Sequence, residues 1–157
     1  AFGGENIVIE GNLAVSANRC AGLTVSTGYE SWPAKGITVS GNTFLDCGGT
    51  AYKQKWPAIY LYVPGENLEG VLIKGNTIQS STFDGIKIVG APDRGALGAE
   101  LTDNTITSPG GNGIYVHDTV HGALSIKGNK ITGTAKGMIK LANQSKPALL
   151  KLQSDLK

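Results

Sequence analysis

The sequence predicts an all-β chain coiled as a right-handed parallel β-helix of about five rungs, closed by a short C-terminal capping segment. Three observations predict it. A motif ending in asparagine recurs five times, apolar and polar residues alternate around it, and glycine supplies 23 of the 157 residues, about twice the usual share. Self-similarity at a near-constant period marks a stacked repeat architecture. Period-two alternation marks strand, and abundant glycine marks frequent turns.

The first strand of each rung is read at Ile7-Val8-Ile9-Glu10-Gly11-Asn12, Ile37-Thr38-Val39-Ser40-Gly41-Asn42, Val71-Leu72-Ile73-Lys74-Gly75-Asn76, Ala99-Glu100-Leu101-Thr102-Asp103-Asn104 and Leu124-Ser125-Ile126-Lys127-Gly128-Asn129. The asparagines lie 30, 34, 28 and 25 residues apart, so the period holds while the loops vary. The apolar positions continue two residues past each asparagine at Ala14, Phe44, Ile78, Ile106 and Ile131. Stacked at about 4.8 Å per rung, these positions would share one core, and the asparagines would form a ladder at one corner. Asparagine also tolerates the left-handed backbone that a corner needs.

A later strand follows in each rung, at Gly22–Ser26, Ala58–Tyr62, Gly85–Val89, Gly113–His117 and Gly137–Leu141. In the last of these, strict alternation turns Lys140 inward, so a bulge or register change is expected there. Repeats of this length with no helix between strands exclude leucine-rich and ankyrin units, and parallel crossovers are right-handed almost without exception. The solenoid is assigned to residues 1–146. The tail, residues 147–157, has apolar spacing suited to a short amphipathic helix or strand covering the last rung, as open solenoid ends require. The chain begins almost directly on a rung, with only Ala1 to Glu5 ahead of it, which points to a module within a larger, multidomain protein.

Composition narrows the function. Hydrophobic residues make up 40%, charged residues 17%, and the net charge is +2, the balance of an ordinary globular domain. No stretch reaches the roughly 20 apolar residues of a membrane helix, and the scattered charges form no basic stripe, so neither membrane nor nucleic acid is an expected partner. The start has no leader-like n-region or h-region, consistent with an exported chain whose signal has been removed. Cys20 and Cys47 form no zinc-binding spacing; they suit either one disulfide between adjacent rungs or two buried free thiols. No acidic cluster has calcium-like spacing, so no cofactor is expected, and calcium could be held only through backbone carbonyls.

The outward positions of the later strands form a stripe: Thr24 and Ser26, Tyr60 and Tyr62, Lys87 and Val89, Tyr115 and His117 on four consecutive rungs. Tyrosine rings offer faces on which sugars stack, and the ammonium, imidazole and hydroxyl groups can bond sugar hydroxyls. Trp32 and Trp56 each precede a proline in loops beside this strand set, and Tyr29 shares the loop of Trp32. The competing reading is that aromatics favour sheets and that the tryptophans roof the core. For hydrolysis, two carboxylates must stand roughly 5 to 9.5 Å apart. Glu30, Glu66 and Asp93 occupy equivalent positions on consecutive rungs, and Glu66 and Asp93 are the catalytic candidates, although in loops of unequal length such residues are usually solvated. Asp84 and Asp118 fall at opposite ends of the strands and cannot be partners. Lys87 and His117 could approximate the base and cation of a uronate lyase or epimerase, but Arg19 and Arg94 lie in loops and do not support them.

At Ile37-Thr38-Val39-Ser40-Gly41-Asn42-Thr43-Phe44 and Ile73-Lys74-Gly75-Asn76-Thr77-Ile78, with Gly85-Ile86-Lys87-Ile88 after the second, the chain resembles the right-handed parallel β-helix proteins of the pectate-lyase-like superfamily over roughly residues 6–142. Within that superfamily it is similar to β-helix carbohydrate-binding modules of xylan-degrading enzymes. It is also similar to the helix of α-1,3-glucanase and mycodextranase glycoside hydrolases, whose neighbouring aspartates it lacks. The resemblance implies a secreted, extracellular protein in contact with a polysaccharide. The leading expectation is a non-catalytic module binding a plant cell-wall glycan such as xylan. The alternative is the C-terminal portion of a β-helical hydrolase or lyase with its catalytic residues upstream, and a third is a purely structural solenoid.

Overall fold

A computed structural model describes residues 1, 3–28, 32–142 and 150–154, the last five as backbone alone. The described residues form strands and turns with no helix, and successive rungs pair in parallel throughout. Each rung gives one strand to each of three sheets. The first sheet stacks Val8–Glu10, Thr38–Ser40, Leu68–Lys74, Leu97–Thr102, Gly122–Lys127 and Leu150–Ser154, with the short strands Gly4–Glu5 and Ala34–Lys35 beside it. The second stacks Leu13–Val15, Thr43–Leu45, Thr77–Gln79, Thr105–Thr107 and Lys130–Thr132. The third stacks Leu23–Ser26, Ile59–Val63, Ile86–Gly90, Asn112–Val116 and Gly137–Leu141.

The registers turn the sequence repeat into a continuous core. Ile9, Val39, Ile73, Leu101 and Ile126 are aligned in the first sheet, and Ala14, Phe44, Ile78, Ile106 and Ile131 in the second. Val25, Leu61, Ile88 and Val116 are aligned in the third. From the second rung onward these side chains are buried. Each contributes about 1.5–3 kcal/mol by leaving water. The first rung has a partner on one side only, and its Val8, Leu13 and Val15 are exposed.

The asparagine ladder forms as expected, but its backbone differs. The side-chain Oδ1 of Asn42 accepts from both the N–H and Nδ2 of Asn12, and the same pair of bonds joins Asn42 to Asn76, Asn76 to Asn104 and Asn104 to Asn129, all at 2.9–3.1 Å. The left-handed residue is not the asparagine. It is the one before it, Gly11, Gly41, Gly75, Asp103 or Gly128, with φ of 65°, 60°, 61°, 55° and 64°. The corner bends there so that the asparagine can turn its amide inward. A second left-handed corner recurs five residues after the first, at Ser16, Asp46, Ser80, Ser108 and Gly133.

The last rung shows the expected register change. Gly137 pairs with Asn112 and Lys140 with Tyr115, which places Ile139 over the buried Ile114 and leaves Lys140 outward. The C-terminal segment adopts the strand alternative: Leu150–Ser154 pairs in parallel with Gly122–Lys127 and so extends the first sheet by one strand. The cysteines match neither expectation fully. Both are free thiols, but Cys47 is buried and Cys20 is exposed, because Cys20 lies in the loop after the incompletely covered first rung.

Candidate functional site

One loop departs from the plain solenoid. Between the second and third sheets of the second rung, Thr50–Ala51 and Gln54–Lys55 form an antiparallel hairpin. Its two-residue turn, Tyr52-Lys53, has φ of 52° and 59°, the doubly left-handed turn that matches the twist of paired strands. Trp56 fastens the base of the hairpin. Its backbone N–H donates to the Gly49 carbonyl at 2.8 Å and its Nε1 to the Ala51 carbonyl at 3.1 Å. The turn carries neither glycine nor asparagine, so its residue types did not point to a hairpin.

The hairpin and the outward side of the third sheet enclose a groove of about 900 Å³. Pairing aligns Thr24, Tyr60, Lys87 and Tyr115 on one ladder and Ser26, Tyr62 and Val89 on the next, as the alternation predicts. The Tyr60 and Tyr62 rings stack at 5.4 Å and 11°, and Trp56 meets Tyr60 edge-on at 5.4 Å. Lys87 Nζ stands 5.9 Å from the Tyr60 ring centre and donates to the Lys55 carbonyl at 3.4 Å. Tyr60 is consequently only 6% exposed. It is the floor that holds Trp56, Tyr62 and Lys87, while Trp56 and Tyr62 keep partly exposed rings. Burial, followed by the neighbouring Tyr62, pushes the Tyr60 hydroxyl far above its ordinary pKa. Burial also lowers Lys87, against an opposing effect of Asp84.

The predicted residues divide. Trp56, Tyr60, Tyr62, Lys87 and His117 come together around the groove. Tyr115 stands beyond it, edge-on to His117 at 6.2 Å with Lys140 Nζ 6.0 Å from its ring centre. Its hydroxyl is raised by burial first and then by Asp118 and Asp84. Trp32 is 58% exposed and belongs to the loop before Ala34–Lys35, away from the groove. Tyr29 and Glu30 lie outside the described residues. Glu66 and Asp93 are exposed, Asp93 within a turn closed by an antiparallel bridge from Ala91 to Arg94, and neither lines the groove. Asp84 Oδ1 accepts from the N–H and side chain of Asn112 at 2.8 Å, and Asp118 Oδ1 lies 2.8 Å from His117 Nδ1.

Cys20, Gly28 and the hairpin residues Lys53, Gln54 and Lys55 are the groove residues that the sequence reading missed. The available signal for the hairpin was the 34-residue interval between Asn42 and Asn76, the longest of the four. No group of three or more His, Cys, Asp or Glu side chains able to hold a metal occurs among the described residues, and no described helix is long and apolar enough to cross a membrane. A second groove, of about 530 Å³, lies on the first sheet along Gly70, Gly98 and Ala123. It offers small residues and one carboxylate, Glu100, but no ring.

No curated protein matches the chain. Among solved structures, trypsin-treated QnrB1, a plasmid-mediated fluoroquinolone resistance protein, aligns with 91% of this chain and 94% of that one, at 10% identity and a TM-score of 0.18. The family described as "Right handed beta helix region" matches residues 1–149. With three parallel sheets stacked among the described residues, the chain belongs to the right-handed β-helix family.

Proposed function

We propose that the chain is a non-catalytic polysaccharide-binding module of a secreted carbohydrate-active enzyme, with a plant cell-wall glycan such as xylan lying in the groove of the third sheet. The observation that carries this reading is the pair of partly exposed rings, Trp56 and Tyr62, fixed on the buried Tyr60 at 5.4 Å each. Rigid rings of this kind bind sugar faces with little loss of conformational freedom, and the hydroxyl, amide and ammonium groups around them can bond sugar hydroxyls. Binding is favoured over hydrolysis because the described residues lining the groove include no carboxylate, whereas glycosidases act through two.

Affinity electrophoresis in gels containing xylan, α-glucan, pectin or no polysaccharide tests this. Retardation of the wild type in at least one glycan, abolished by Tyr62→Ala and by Trp56→Ala in variants that keep the wild-type circular dichroism, is the expected result. Migration unaffected by every glycan would reject the binding role.

A further inference from the structure

We propose that the groove selects an acidic glycan, whose anionic group is held between Lys53 and Lys55 of the hairpin and Lys87 of the sheet. The inference rests on the binding reading above and adds to it the charge of the ligand. Its first support is an imbalance. The chain as a whole carries 14 basic and 12 acidic residues, yet the described residues lining the groove include three lysines and no aspartate or glutamate.

Asp84 and Asp118 each have another partner, although the charge of Asp84 still acts on Lys87. Asp84 is bonded twice to Asn112, and Asp118 is beside His117. Lys87 is partly withdrawn from water, and its one hydrogen bond among the described residues is the 3.4 Å contact with the Lys55 carbonyl. An ammonium in that state gains from an incoming anion, since it has already lost hydration and the attraction acts in a less polar medium. The hairpin adds an independent observation. Tyr52 and Lys53 both occupy left-handed backbone, which glycine or asparagine would adopt with less strain. Strain retained at an exposed tip points to a use for the side chains there, and Lys53 lines the groove. Lys55 is placed by the same hairpin, with its Nζ 5.4 Å from the Phe83 ring centre.

The test is calorimetric titration of the chain with three probes: xylotetraose, the same oligosaccharide bearing one glucuronic acid, and a chondroitin sulfate tetrasaccharide. The glucuronate-bearing probe is expected to bind roughly tenfold tighter than xylotetraose at low salt, with the advantage shrinking as salt screens the charges. The double variant K53Q/K55Q, at exposed positions and verified by circular dichroism, should remove most of the advantage of the glucuronate-bearing probe over xylotetraose. Preference for either acidic probe over xylotetraose, lost as salt rises, supports an acidic ligand. Equal affinity for neutral and acidic probes, indifferent to salt and to K53Q/K55Q, overturns the inference and leaves the binding reading standing. Failure of all three probes, and of every polysaccharide in the gels, removes both.

Discussion

Replacing Asn76 with alanine should remove a large part of the stability of the solenoid, and the hydrogen bonds indicate how much. Asn76 is 1% exposed. Its Oδ1 accepts from the N–H and Nδ2 of Asn42, and its Nδ2 donates to the Val39 and Lys74 carbonyls and to Asn104 Oδ1. After the substitution, Asn42 Nδ2 keeps the Ile9 carbonyl, and Asn104 Oδ1 keeps the Asn76 N–H. The buried Asn42 N–H loses its acceptor, and the Val39 carbonyl loses a side-chain donor. At about 1–3 kcal/mol for each buried group left short of a partner, the change should cost about 4 kcal/mol, a large share of a typical domain's 5–15 kcal/mol. Asn12→Ala is the internal control. Asn12 is exposed, and Asn42 Oδ1 would retain the Asn12 N–H, so the loss should stay under about 1 kcal/mol. Urea unfolding followed by circular dichroism measures both. If the two variants fall within about 0.5 kcal/mol of each other, the ladder does not hold the rungs together and the accounting is wrong.

Gly49→Ala should cost roughly 3 kcal/mol, because the added methyl would fall on the Asn18 carbonyl of the neighbouring rung. At Gly11, where the methyl meets nothing, only the left-handed backbone is penalised, by about 1–2 kcal/mol; paired thermal melts separate the two. Thiol titration should count one reactive cysteine in the native chain, Cys20, and two after denaturation. A bulky maleimide on Cys20, which lines the groove, should also block glycan retardation, and unimpaired binding by the labelled chain would place the ligand elsewhere. The pKa of Tyr60 is raised in the folded chain, so the stability it contributes is complete below the unfolded value of about 10 and declines as pH rises through the folded one. Urea midpoints should therefore fall above about pH 10 in the wild type and fall less in Tyr60→Phe.

Much of the fold was legible because a solenoid writes its core as a repeat. Every inward position from Ile9 to Ile126 in the first sheet, and from Ala14 to Ile131 in the second, could be read from alternation around the asparagine. The failures have a common cause in backbone conformations that no single residue type dictates. Left-handed corners fall on Ser16, Asp46, Ser80 and Ser108, which are not glycine. The same holds for Tyr52 and Lys53, so only the length of the second rung, not the turn residues, pointed to the hairpin. Alternation placed the tyrosines on the outward face correctly but could not tell how far each is covered. The burial of Tyr60 comes from Trp56, four residues earlier on a different element. For the same reason Trp32 and Trp56, alike in sequence context, have different surroundings.

The division between scaffold and site follows from these particulars. Residues that recur on every rung, the asparagines and the apolar ladders, are consumed by stacking and have nothing left to offer a ligand. A binding surface therefore has to come from positions where rungs differ. The second rung differs most. It is longest by the interval from Asn42 to Asn76, and its excess length is where the Thr50–Lys55 hairpin stands. That insertion covers Tyr60, brings Trp56 against it and adds Lys53 and Lys55 beside Lys87. Because the flat sheet beneath is fixed by the rungs on either side, the hairpin needs only its two backbone and side-chain bonds to Gly49 and Ala51 to hold one wall of the groove. Shortening the loop by deleting residues 50–55 should accordingly leave the parallel sheets cooperative in unfolding while removing glycan retardation. Persistence of binding in that deletion would show that the sheet face alone, without the wall, is sufficient.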